Sequence, residues 1–208
     1  MQHNYYQQTC DIIQDNEKRG IRPRLLLHIC CAPCAGVCLE RLVEAFEITL
    51  LFYNPNITDI KEYELRKSEV QRLVQSWDGK VKFLDTGHQK ADFEKIAEGR
   101  ENCPEGGERC MACYALRLSY TARVAKREGY DYFASTLSVS PHKDSKKLNE
   151  IGKACEAKYG VKHLPNDFKK KDGYKRSCEI SARMGFYRQN YCGCEYSKRG
   201  HNCDEDII

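Results

Sequence analysis

The 208-residue chain has no apolar run that approaches the length of a bilayer crossing, which argues against a transmembrane helix. Its opening stretch, MQHNYYQQTCDIIQDNEKRG, lacks the cationic and apolar blocks of a secretory leader. A cytoplasmic, reducing location is therefore expected. No internal repeat and no low-complexity linker divides the chain, so a single domain is the simplest organisation. Hydrophobic residues make up 41% of the chain, enough for a core that needs no covalent staples.

Cysteine, by contrast, is abundant. Thirteen are present, an odd number that excludes complete pairing, and a reducing compartment disfavours a disulfide framework. Metal binding or catalysis becomes the leading explanation. Four thiols, Cys30, Cys31, Cys34 and Cys38, fall within nine positions of one segment. The net charge of +4 is unevenly spread: residues 161–201 hold ten Lys/Arg against four Asp/Glu. That excess suits an anionic partner, nucleic acid included, although a solvated surface explains it equally well.

Apolar runs alternate with helical periodicity. Strands are expected at Leu25–Ile29, Ile48–Tyr53, Val81–Leu84, Tyr132–Leu137 and Val161–Leu164. Helices are expected at Ala35–Glu47, Thr58–Trp77 (capped by Thr58 or Asp59), Ala91–Ala97, Met111–Glu128 and Ser145–Tyr159. Such alternation predicts an α/β fold, a parallel sheet with helices on both faces, whose ligands sit at the carboxyl ends of the strands. The first cysteine cluster, Asn54-Pro55-Asn56 and Ser138-Val139-Ser140-Pro141 would then share one rim.

A second thiol pair, Cys110-Met111-Ala112-Cys113, opens a helix, where i, i+3 spacing aligns the sulfurs and the N-terminus favours thiolate. Two distant segments thus offer four sulfurs to one metal centre. Cys31 and Cys34 with Cys110 and Cys113 would make a regular zinc site; Cys30 and Cys31 with the same pair is the alternative. Adjacent side chains diverge, which suits the separate corners of an iron–sulfur cube better than one small ion. Cys192-Gly193-Cys194 is a third signal, since a disulfide across one residue is strained and easily reduced. A further metal-binding pair, or two exposed thiols, is the plainer explanation. His28, at the end of the first strand, reads as a hydrogen-bonded core residue, and Asp131 as a carboxylate on the site or a loop residue. Asp167-Phe168-Lys169-Lys170 and Tyr187-Arg188-Gln189-Asn190-Tyr191 interleave aromatics with cations, as nucleic-acid surfaces do.

With these segments assembled, the chain resembles the epoxyqueuosine reductases of the QueH type. The likeness runs through LLHICCAPC (26–34), YNPNI (53–57), RCMAC (109–113), TLSVSP (136–141), DFKK (167–170) and YRQNYCGC (187–194). It implies a single catalytic domain over 25–197, flanked by a polar N-terminal extension (1–24) and a tail (198–208). It also implies a HUP-like Rossmannoid sheet with a cysteine-containing C-terminal segment, and reduction of epoxyqueuosine in tRNA to queuosine without cobalamin. The motifs carry [4Fe-4S] ligation onto Cys30, Cys31, Cys110 and Cys113, and a redox-active disulfide onto Cys192 and Cys194. Cys34 and Asp131 are additional candidate ligands, and the leftover Cys34 and Cys38 make a second, nearby iron conceivable. An electron donor of unknown identity is required. CCAPC lacks a glycine-rich, serine-bearing phosphate loop, so ATP use is not expected. The rival readings are a zinc-stapled tRNA-binding protein and a tRNA-thiolating enzyme.

Overall fold

The computed structural model describes residues 4–198. Five parallel strands, β1 (Arg24–His28), β2 (Glu47–Phe52), β3 (Val81–Asp85), β4 (Tyr132–Ser135) and β5 (Lys162–His163), form one sheet in the order β3-β2-β1-β4-β5. β1 and β2 are buried along nearly their whole length, as continuous apolar runs covered on both faces should be. Register is continuous across the centre: Leu27 lies beside Leu50 on β2 and Ala134 on β4. The order reverses between β1 and β4, and such a switch point opens a crevice at the carboxyl ends of those two strands.

The helices follow the alternation: α1 (Tyr5–Lys18), α2 (Ala32–Leu42), α3 (Ile60–Gln75), α4 (Lys90–Ala97), α5 (Glu108–Arg127), α6 (Ser145–Tyr159), α7 (Gly173–Met184) and α8 (Glu195–Lys198). Two cores result. Leu25, Leu27, Phe46 and Phe52 pack with α2, α3 and α7 on one face; Leu26, Leu51, Tyr114 and Phe133 pack with α5 and α6 on the other. Asp59 caps α3 through its side chain, one of the two expected caps.

Three expectations need correction. The polar N-terminal stretch carries α1, which docks on the domain: Ile12 and Ile13 pack on the core and the Asn16 amide donates to the Ala45 carbonyl. β4 stops at Ser135 and turns into a short 3-10 segment, Thr136–Val139, in place of a strand to Leu137. α7 is an additional helix, masked in the sequence by its charged residues and short apolar spacing. Gly185 in the left-handed conformation ends it, and Ile180 touches the position a Cβ would take on Gly36, so α2 and α7 approach closely.

Candidate metal centre

β1 delivers the first thiols to the switch point. Cys31 is the N-cap of α2 and Pro33 occupies its first turn, where a missing N–H costs nothing. The sulfurs of Cys30, Cys31 and Cys34 all lie within 4.8 Å of one another, with Cys30 Sγ 3.8 Å from Cys31 Sγ. The pairing of Cys34 with both vicinal cysteines follows from helical geometry: position 34 turns back over the cap. Hydrogen bonds from Cys31 and Cys34 hold the Cys30 thiol well below its ordinary range, against burial and with help from Arg117 and Arg66. Its partners move in the opposite direction: Cys31 is pushed up to about 11, chiefly by Cys30, and Cys34 is raised as well.

α5 supplies the second pair. Cys110 accepts from the Gly106 N–H at 3.3 Å, and burial pushes the Cys113 thiol up to about 12. One helical face carries Cys110, Cys113 and Arg117, at i, i+3 and i+7. Arg117 is 1% exposed and has no carboxylate partner among the described residues. Its Nε donates to His28 Nε2 at 3.2 Å and its other arm to Asn54 Oδ1 at 2.7 Å. His28 Nε2 also lies 3.0 Å from the Tyr53 carbonyl, and Nδ1 lies 2.8 Å from Ser135 Oγ. Burial, then Arg117, lowers the His28 pKa to about 3, so the ring is neutral and His28 is the core histidine expected. The charges that Arg117 meets are sulfurs of both cysteine segments: Cys113 and Cys30, then Cys192.

The C-terminal segment closes the site. α3 holds it through its charged face: Arg66 pairs with Glu62 at 2.6 Å and donates to the carbonyls of Tyr191 and Cys192. Glu69 accepts from the Tyr187 N–H, and Arg72 donates to the Met184 and Gly185 carbonyls. Asn56, buried beyond β2, donates to the Cys192 carbonyl at 3.2 Å. Gly193 has φ +97°, and a Cβ there would stand 2.8 Å from Ile57, so only glycine lets the Cys-Gly-Cys loop lie this close. Cys192 and Cys194 are free thiols, with no disulfide between them; Cys194 is buried beside Cys113 and Phe93, and burial pushes it up to about 11.

A cavity of about 270 Å³ opens over these groups, with Cys30, Cys34 and Cys192 in its wall alongside Arg66, Arg117 and Lys143. Cys110 and Cys113 do not line it, and neither falls in the Cys30–Cys31–Cys34 group. Other expected residues fall elsewhere. Asp131 immediately precedes β4, at the opposite end of the parallel strands from the thiols, and accepts from the Arg24 N–H at 2.8 Å; that position sets it apart from the cysteine site. Cys38 is fully buried among apolar side chains and lies outside the Cys30–Cys31–Cys34 group. Phe168 is 1% exposed in the core and Tyr187 donates to Glu62, so neither is free to stack on a base. Lys169 is paired with Asp167 at 3.1 Å. Tyr191 does line the cavity, and the exposed Tyr174, unremarked in the sequence, joins it. Cys203 lies outside the described residues. Sequence reasoning missed Arg66 and Arg117 as site residues, although Arg117 shares the heptad-like spacing of the two cysteines that precede it; Asn54, expected on this rim, is found there, holding Arg117.

The sequence profile of the family described as "Epoxyqueuosine reductase QueH" matches residues 25–200. Curated proteins of that name are similar along most of the chain. The one from Streptococcus pyogenes serotype M1 is 41% identical over 192 residues, covering 90% of this chain and 75% of the relative. The one from Staphylococcus epidermidis is 40% identical, covering 97% and 87%. A more distant relative from Thermotoga maritima is 33% identical over 83% of this chain and 89% of its own length. With a profile spanning nearly the whole sheet and thiol site, and identities this high over this much of the length, the chain belongs to the QueH family of epoxyqueuosine reductases.

Proposed function

We propose that this protein reduces epoxyqueuosine in tRNA to queuosine, taking the epoxide oxygen off as water at the thiol-lined cavity. The observation that carries this reading is Arg117: a fully buried guanidinium with no carboxylate partner among the described residues, facing sulfurs from two distant segments. An unpaired buried cation costs several kcal/mol, so the site is built for an anionic centre among those sulfurs. Cys30, Cys31 and Cys34 converge at the cavity and Cys110 and Cys113 open α5; thiols suit a sulfur-ligated iron centre, which Cys30, Cys31, Cys110 and Cys113 would hold in this reading, with Cys34 beside them. When bound, a [4Fe-4S] cluster supplies electrons one at a time. The remaining chemistry belongs to the chain. Arg117, fixed by neutral His28 and Asn54, offsets the negative charge of the sulfurs; Arg66 holds the Cys192 loop against the cavity. Cys192 and Cys194 form the two-electron reservoir, and strain in their disulfide keeps it easy to recharge by an outside donor. A HUP-like form of this parallel, helix-flanked sheet belongs to the same proposal.

Neither cobalamin nor ATP enters this reading. Anaerobic turnover of epoxyqueuosine-containing tRNA, with the nucleosides resolved by mass, tests it: queuosine should appear at the expense of the epoxide. The compact Cys30–Cys31–Cys34 trio favours one second reading, a small zinc ion and no redox chemistry. A colourless protein that binds tRNA and leaves the epoxide intact would support that alternative.

A further inference from the structure

Lys143 stands in the loop between β4 and α6, at the switch point. Its backbone is fixed on both sides: its N–H donates to the Ser140 carbonyl, its carbonyl accepts from Lys169 Nζ at 3.2 Å, and Asp144 next to it caps α6. The ammonium, by contrast, has no hydrogen bond and no ion pair among the described residues. It lines the cavity with Cys30 and Cys192 and is only partly exposed. The three arginines in the same wall are already committed, Arg66 to Glu62 and two carbonyls, Arg117 to His28 and Asn54, and Arg188 to the Ser177 carbonyl and the Tyr174 ring. The one carboxylate there, Glu105, is exposed on the outer loop. Burial works against the Lys143 charge, and the neighbouring Cys192, Tyr114 and Cys30 more than restore it, so the group stays cationic.

We propose that Lys143 is a catalytic residue whose ammonium donates a hydrogen bond to the epoxide oxygen as that oxygen takes on negative charge. This rests on the epoxide-reduction reading and names a group that meets the leaving oxygen. Removing the oxygen breaks two C–O bonds, forms one C=C bond, and consumes two electrons and two protons. Oxidation of the Cys192–Cys194 dithiol to a disulfide yields two electrons and two protons. The balance is epoxide plus dithiol to alkene, water and disulfide; Lys143 gains and loses nothing overall. A preorganised cation held in the cavity wall stabilises such developing charge better than bulk water can.

The test compares wild type, Lys143→Gln and Lys143→Arg with epoxyqueuosine-containing tRNA under anaerobic conditions, measuring kcat, KM, bound iron and reduction potential. Lys143→Gln should lower kcat by about 100-fold or more, the scale of losing one oxyanion donor, with KM, iron content and potential little changed. Lys143→Arg should recover most of the rate, because the charge and donor survive. A Lys143→Gln kcat within about threefold of wild type overturns the proposal. So does a rate loss that tracks lost iron or a shifted potential, which would assign the ammonium to the sulfurs. If wild type itself leaves the epoxide intact, the functional reading falls; if wild type converts it and Lys143→Gln does so equally well, only this inference falls.

Discussion

Arg117 holds its charge inside the protein by two hydrogen bonds to neutral groups, His28 and Asn54. No carboxylate among the described residues pairs with it, and a lone buried cation is costly. In the metal-free chain, Arg117→Met removes a costly buried cation together with two hydrogen bonds. These effects oppose, so the net change should stay within about 2 kcal/mol by urea unfolding. Iron retained after anaerobic purification should nonetheless drop several-fold. Equal iron in variant and wild type would show that the guanidinium is not there for the sulfurs. At the same scale, replacing Cys192 and Cys194 by Ser should leave iron and tRNA binding intact while abolishing multiple turnover; wild-type turnover would mean that electrons bypass the pair. The thiols are legible in the sequence because spacing alone announces them. Arg117 is not, since a basic residue on an amphipathic helix looks solvated until the fold shows what lies against it. Asp131 misleads for a related reason: a strand's start and end lie on opposite rims of a parallel sheet, and only the end meets the site.

Elements place these residues, and their packing offers tests independent of redox chemistry. Gly152 lets α6 lie against β5: a Cβ there would stand 2.3 Å from His163 Nε2 and 2.5 Å from two ring carbons. Gly152→Ala should therefore destabilise by about 1–3 kcal/mol in spite of alanine's better helix propensity. His163 is 6% exposed, and burial lowers its pKa from 6.5 to about 4. The unfolded chain therefore binds a proton near pH 6.5 that the fold refuses until about pH 4. The neutral ring's contribution is complete above pH 6.5 and is lost as pH falls toward 4. Between pH 7 and 5 wild type should lose about 2 kcal/mol more than His163→Gln. Parallel curves for the two proteins would contradict the burial argument. Strand and helix order are readable because apolar runs and amphipathic periods alternate cleanly. The tethering role of α3 is not: Glu62, Arg66, Glu69 and Arg72 look like an ordinary charged face, yet they grip the returning C-terminal segment.

At the scale of the whole molecule, a parallel sheet gathers chemistry on one rim and the basic C-terminal third lies beside it. Three of its exposed lysines, Lys170, Lys171 and Lys175, lie close in sequence to exposed Tyr174 on the cavity wall. Replacing all three by Glu should weaken tRNA binding and flatten its salt dependence, by about 0.9 in the log–log slope for each phosphate no longer neutralised. An unchanged slope would make the patch mere surface. The central claim, that two cysteine segments far apart in sequence hold one iron–sulfur centre, is tested most directly by metal and acid-labile sulfide content. Anaerobically purified wild type should carry about four irons and four sulfides per chain with visible absorption. Cys30→Ala and Cys113→Ala, one from each segment, should both lose them. Zinc in the wild type, or full iron and sulfide in either variant, would contradict the account.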